Sequence, residues 1–186
     1  MAESPAHRLG QILGEVLEAA VGELLGPVAA SSGLFLDRHG ERPARAGKKV
    51  SWSDRYGNTH DLDYVLERGG TPELIGVPVA FIESAWRSYT KHSRAKAQEI
   101  QGAVLPIVDT HRLAAPFAGV VLAGLFTEGA LNQLRSVGFE VLFFPAEAVI
   151  EAFTTVGVSV AFEEDTDLAS LSATVAALEA LNPAQR

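Results

Sequence analysis

An eight-residue run, Gly76-Val77-Pro78-Val79-Ala80-Phe81-Ile82-Glu83, sets the tightest limit on how this chain can fold. Its length and apolar content read as a strand, yet it ends in a carboxylate. Twenty residues earlier the segment Gly57-Asn58-Thr59-His60-Asp61-Leu62-Asp63-Tyr64-Val65-Leu66 reads as a second strand that carries Asp61 and Asp63. Two neighbouring strands that each bring a carboxylate out of an apolar stretch are a costly arrangement. An unpaired buried carboxylate is strongly penalised unless it meets a metal or a cation, and a divalent metal is the simplest partner. The helix-like segment 88–108 then supplies Lys91, Arg94 and Lys96, followed by Gln98 and Gln101. Cations and amides therefore lie close to the acids in sequence, the layout of a phosphodiester-cutting site.

At these residues the chain resembles the PD-(D/E)xK nuclease superfamily, the restriction-endonuclease-like fold. That family carries an Asp at the end of one strand, a (D/E)xK tripeptide on the next, and often a Gln on the following helix. Asp63, with Asp61 as its neighbour, fits the first position, Glu83 the second, and Gln98 or Gln101 the helix glutamine. The resemblance covers residues 55–108 closely and, by the order of predicted elements, most of 8–145. It departs at the tripeptide, which reads Glu83-Ser84-Ala85, so an alanine stands where the family has its lysine. The resemblance implies an α/β sandwich with a central mixed β-sheet flanked by helices, and hydrolysis of DNA with Mg²⁺ or Mn²⁺ as cofactor.

The chain of 186 residues is 47% hydrophobic and 20% charged, which suits one domain, 1–186, with a sizeable core. It has no cysteine, so a disulfide framework and a thiolate metal site are both excluded. Without a basic-then-apolar leader pattern or an apolar run long enough to span a bilayer, a reducing cytoplasm is the expected compartment. The net charge of −8 argues at first against a polyanionic partner. Its distribution argues the other way. Residues 38–96 hold eleven of the fifteen Lys and Arg against seven of the twenty-three Asp and Glu, a net of +4, and leave −12 on the remainder. Arg38, Arg42, Arg45, Lys48, Lys49 and Arg55 lie before the acidic strands, and Arg87, Lys91, Arg94 and Lys96 after them. Basic residues on both sides of a carboxylate site fit a phosphate backbone drawn onto a metal, and the loop 38–55 is the expected DNA contact.

Apolar residues at 9, 12, 13, 16, 17, 20 and 24 predict an amphipathic helix over 6–25, closed by Gly26-Pro27. Strands are expected at 33–36, 49–53, 60–67, 77–85, 119–126, 139–144 and 158–162. Helices are expected at 89–106, 128–136, 147–155 and 167–181, with Leu168, Leu171, Val175, Leu178 and Leu181 forming a stripe that covers either the chain's own sheet or a second subunit. The acidic run Glu163-Glu164-Asp165-Thr166-Asp167 is explained by capping or solubility. No Gly-rich phosphate loop supports a doubly wound nucleotide-binding domain instead.

Alternation puts Asp61 and Asp63 on one strand face and Glu83, Ala85 and Arg87 together on theirs. Asp63, Glu83 and Asp61 are hard oxygen ligands suited to Mg²⁺ or Mn²⁺. Ala97, Ile100, Val104 and Ile107 form the sheet-packing face of the following helix, with Lys96 at its edge and Lys91 near the far side. Lys96 is thus the first substitute for the missing lysine and Lys91 the second, with Gln98 as the helix amide. His60 and His92 are weaker candidates, Trp86 and Tyr89 read as packing residues, and Glu23 is a candidate acid on the first helix. Two functions follow: a metal-dependent DNA endonuclease of the type II restriction kind, or a catalytically inactive nuclease-fold module for nucleic-acid binding or subunit assembly. DNA is the expected polymer, RNA stays open, and a homodimer would serve to cut both strands.

Overall fold

The computed structural model describes residues 4–162 and 165–181. Its first element, α1 (Pro5–Ser31), is capped by the Ser4 hydroxyl, which accepts from the His7 N–H at 3.3 Å, with Pro5 at the helix start. The helix does not stop at Gly26-Pro27 but runs six residues beyond the expected end. Pro27 and Glu23, whose carbonyl loses its partner to the proline ring, lie on the exposed side, while Val21 and Ala29 remain buried on the other. Burial of one face therefore outweighs a missing bond on the other.

The strands β1 (Leu34–Arg38), β4 (Tyr64–Arg68), β5 (Val77–Arg87), β6 (Phe117–Gly124) and β7 (Glu140–Pro145) form a five-stranded sheet in the order β1-β4-β5-β6-β7. β1, β4 and β5 pair antiparallel, and β5, β6 and β7 parallel. The sheet is mixed and flanked by helices, an α/β sandwich as expected. Strands β2 (Val50–Ser53) and β3 (Thr59–Leu62) make a separate hairpin. The segment 60–67 is thus not one strand: the chain leaves the hairpin at Leu62, bends at Asp63 and enters the central sheet at Tyr64. That bend resets the alternation on which the pairing of Asp61 with Asp63 rested.

On one face, Phe81 and Ala85 of β5 and Val65 of β4 meet Ala97, Ile100, Val104 and Ile107 of α2 (Ser93–Thr110), four helix positions that are all fully buried. Leu131 and Leu134 of α3 (Glu128–Ser136) extend this core. On the other face, Tyr64, Leu66 and Ile82 pack under Val21 and Ala29 of α1. Trp86 and Ala123 join Leu9, Ile12 and Leu13 with Phe153 of α4 (Ala146–Thr155) and Leu171 and Leu178 of α5 (Leu168–Ala180). Each Val, Leu, Ile or Phe among them contributes about 1.5–3 kcal/mol by leaving water. The α5 stripe therefore covers the chain's own α1, aided by an Arg8–Glu179 ion pair at 2.9 Å, while Leu168 at its start stays exposed. Asp167 caps α5 through the Ala169 and Ser170 N–H groups; Glu163 and Glu164 of the acidic run lie outside the described residues. Residues 158–162 form no strand; Val158 and Val160 are buried as irregular chain in the α1 side of the core. Among the described residues no helix is long and apolar enough to cross a membrane.

Candidate functional site

The antiparallel register that pairs Tyr64 with Ile82 and Val65 with Phe81 sets Asp63, one residue before β4, opposite Glu83. The Asp63 N–H donates to Glu83 Oε1 at 3.2 Å. Asp63 Oδ2 in turn accepts from the Ser84 N–H at 2.7 Å and the Ser84 hydroxyl at 2.8 Å. Each acid is thus fixed by the strand of the other. Glu83 is 7% exposed. Burial first, and then the Asp63 charge, push its carboxyl up to about 8, against the pull of the Asp63 N–H and of Lys96. A nearby cation would favour the ionised form that burial disfavours.

A third acid joins from α1. The Tyr64 hydroxyl donates to the Glu18 carbonyl, and Gly22, one turn on, lets the ring come close, since a Cβ there would sit 2.9 Å from the Tyr64 oxygen. These contacts lay α1 on β4 and bring the Glu18 carboxyl to the same cleft as Asp63, near enough for the Asp63 charge to act on it. Its pKa is raised by burial first and then by the Asp63 charge, with His39 opposing. Tyr64 itself is pushed up to about 12, by burial first and then by Glu18 and Asp63. Glu23, the candidate acid on this helix, is exposed and borders a different groove, beside Leu13 and Ala20. Gly22, alone of the α1 glycines, marks a close approach, and Glu18, four positions earlier, shares its face.

A cleft of about 760 Å³ opens between the first half of α1, the end of β5 and the start of α2. Glu18, Asp63, Ala85, Arg87, His92 and Lys96 are among the residues lining it. Glu83 adjoins this wall without lining it. Ala85 puts a methyl group where a lysine was sought, and Lys96 brings the charge from the helix instead. Its ammonium group pairs with Glu99 at 2.7 Å, its side chain is 15% exposed, and its charge acts on Glu83. Lys91 is exposed and does not line the cleft; its ammonium lies 5.2 Å from the centre of the Tyr89 ring. Tyr89 lines the cleft, whereas Trp86, although it borders the cleft, is 8% exposed and packs in the α1 core with its indole N–H on the Ser88 hydroxyl.

Several expected site residues lie elsewhere. Asp61 is on the β2–β3 hairpin, exposed, paired with Lys49 at 2.6 Å and accepting from the Ser51 hydroxyl at 2.6 Å, so it is no ligand beside Asp63. Those two partners hold it below the usual carboxylate range, the Lys49 bond first. Gln98 is exposed outside the cleft, and Gln101 donates to the Gln133 carbonyl and accepts from its amide, joining α2 to α3. At about 100° per residue both turn away from the face that carries His92, Lys96 and Glu99. His60 bonds Asp54 at 3.1 Å near the hairpin tip, and Asn58 first, then His60, hold that carboxyl well below its ordinary range.

Two of the expected DNA contacts are structural. Arg42 is 6% exposed; it forks onto Glu67 at 2.6 and 3.0 Å, meets Asp37 at 2.8 Å, donates to the Thr71 and Leu74 carbonyls and stacks on Phe35. Arg45 pairs with Asp37 at 3.1 Å and donates to the Arg38, Gly40 and Gly47 carbonyls. Buried carboxylates on β1 and β4 need these cations, and a charge count does not show which acids are buried. Arg38 and Lys48 are exposed, Lys49 is held by Asp61, and Arg55 stacks on Tyr56 and pairs with Asp109 at 2.9 Å. Arg87 lines the cleft, and Arg94 is exposed outside it.

Asp63 and Glu83 offer hard carboxylate oxygens in a site where a cation would offset burial, and Glu18 stands near; this chemistry fits Mg²⁺ or Mn²⁺. Among the described residues no group of three or more His, Cys, Asp or Glu side chains is gathered closely enough to hold a metal alone. No protein-family model and no curated protein matches the chain. A solved structure, "Protein of Unknown Function AF1548", is similar over 85% of this chain and 94% of its own, at 11% identity and a TM-score of 0.40.

Proposed function

We propose that this chain is a metal-dependent endonuclease that hydrolyses DNA phosphodiester bonds, in the manner of the PD-(D/E)xK nucleases that residues 55–108 resemble. The observation that carries the reading is the Asp63–Glu83 pair: two carboxylates on adjacent strands, one buried and held up to about 8, beside the cleft that Lys96 enters. Asp63 and Glu83 would hold Mg²⁺ or Mn²⁺, and the ion supplies an activated water and stabilises the charge that builds on the phosphorus oxygens. Ser84 orients Asp63 through two donated bonds. Lys96 adds a positive charge beside the reacting phosphate, where preorganised charge acts most strongly because water is partly excluded. Glu18 adds an acceptor from the α1 side. Cleavage of supercoiled plasmid and of single-stranded circular DNA by purified protein in Mg²⁺ or Mn²⁺, and its loss in EDTA, tests the activity. Asp63→Ala and Glu83→Ala should each abolish cleavage while the protein stays folded and still binds; full cleavage by either variant rejects the ligand roles.

The alternative is a catalytically inactive nuclease-fold module that binds nucleic acid or assembles with a subunit. Ala85 at the lysine position and the saturation of Asp63 Oδ2 by Ser84 favour it. Gel-shift binding in EDTA with no nicking under any divalent ion decides for it. DNA as the substrate and a cytoplasmic setting belong to the same proposal.

A further inference from the structure

We infer that the cleft beside Asp63 takes an unpaired nucleic-acid strand, with Arg87 as a phosphate contact, and does not admit a stacked duplex; this rests on the nuclease reading of the site. Three features carry it. The cleft, at about 760 Å³, has the size of a small-molecule pocket, commonly about 300–1,000 Å³, which suits one or two nucleotides. Asp63 lines the cleft and Glu83, only 7% exposed, lies behind its wall, so a phosphate must enter the cleft to approach the pair. A phosphate of a single strand can thread a cleft of this size, whereas a phosphate of a duplex arrives with the bulk of both strands behind it.

The second feature is an arginine with donors to spare. Arg87 lines the cleft, half-buried, and among the described residues the only hydrogen bond its guanidinium donates is from Nη1 to the Trp86 carbonyl at 2.8 Å. A guanidinium carries five N–H donors. Arg42 and Arg45, by contrast, spend theirs on buried carboxylates and carbonyls. Burial lowers the Arg87 pKa, with Glu99 opposing, so an anion at this place would relieve a cost the free protein carries. The third feature is the wall. Tyr89 supplies an aromatic face in the cleft, with Lys91 beside it, the pairing of stacking platform and cation used for single strands. Opposite, α1 presents Gly10 and Gly14, and a Cβ on Gly14 would meet nothing within 4 Å. Open space at a helical glycine leaves the strand's backbone free to approach.

That space also provides the test. Gly14→Phe would fill the cleft with no backbone strain and with a better helix former than glycine. Fluorescence anisotropy in Ca²⁺ compares a labelled oligothymidine with a hairpin duplex, and cleavage of both is then followed in Mg²⁺. The single strand should bind at least tenfold tighter than the duplex. Gly14→Phe should weaken it at least tenfold without lowering the melting temperature. Arg87→Ala should weaken it about tenfold and flatten the salt dependence by about one phosphate contact. Equal or tighter binding of the duplex, untouched by Gly14→Phe, overturns the inference. Asp63-dependent cutting of duplex with the single strand spared overturns it too and leaves the nuclease reading standing. Single-strand binding that Gly14→Phe destroys, with no cleavage in any divalent ion, keeps the inference as a binding site and removes the nuclease reading. Binding of neither polymer removes both.

Discussion

Glu83 differs from an ordinary strand carboxylate by its solvation. Its folded-state pKa, near 8, lies above the ordinary 4.5, so the folded protein holds a proton that the unfolded chain releases. Stability from this group is fullest below about 4.5 and is lost as pH rises toward 8, at about 1.4 kcal/mol per pH unit. Glu83→Gln should therefore flatten the pH dependence of urea midpoints and leave the variant more stable than the parent at pH 8 but not at pH 4.5. A parent protein equally stable at both pH values would place Glu83 in water. Lys96 tests the neighbouring charge. Lys96→Ala should cut Mg²⁺-dependent cleavage about a hundredfold, some 2.7 kcal/mol of barrier, with binding retained, whereas Lys91→Ala should lose less because Lys91 does not line the cleft. Equal losses in single-turnover assays would put the charge elsewhere.

Between elements, the buried network of Arg42, Glu67, Asp37 and Arg45 ties the loop after β1 to β1 itself, β4 and the β4–β5 turn. Truncating one partner leaves an uncompensated buried charge, so Arg42→Ala should destabilise the fold by about 3–5 kcal/mol in chemical denaturation. Arg38→Ala and Lys48→Ala, at exposed positions, should leave stability within about 0.5 kcal/mol. They should lower the salt slope of DNA binding by about one contact each if this rim touches the backbone. Opposite results would exchange the two roles. The α1–β4 contact is just as specific. A side chain at Gly22 must displace the Tyr64 hydroxyl, so Gly22→Val should destabilise the fold and weaken metal binding together by moving Glu18.

For the molecule as a whole, metal and proton compete for the same acid pair. Added Mg²⁺ or Mn²⁺ should raise the melting temperature more at pH 8 than at pH 5, because at the lower pH Glu83 is protonated. At a hundredfold excess over Kd the gain is about 2.7 kcal/mol, reversed by EDTA and absent in Asp63→Asn. A shift that is equal at both pH values would locate the ion away from Glu83.

The order of elements was legible because hydrophobic period is a local property: the run ending at Glu83, and the helix face of Ala97, Ile100, Val104 and Ile107, follow from spacing alone. So was the pairing of Asp63 with Glu83, since consecutive strands with a short connection tend to lie side by side. What the chain does at a bend was not. Asp61 and Asp63 share a strand face in the sequence, yet the passage from hairpin to central sheet separates them, because a single bend resets the alternation. Arg42 reads as a surface cation until Asp37, five residues before it, and Glu67, twenty-five after it, are found buried around it. Glu18 enters the site only because α1 crosses β4 at Gly22. Local spacing determined most of the strands, the helices and their core faces, though not the bend at Asp63, the end of α1 or the irregular chain at 158–162. Tertiary packing alone decided which charges share a low-dielectric site, because that depends on distances between segments that no local pattern encodes.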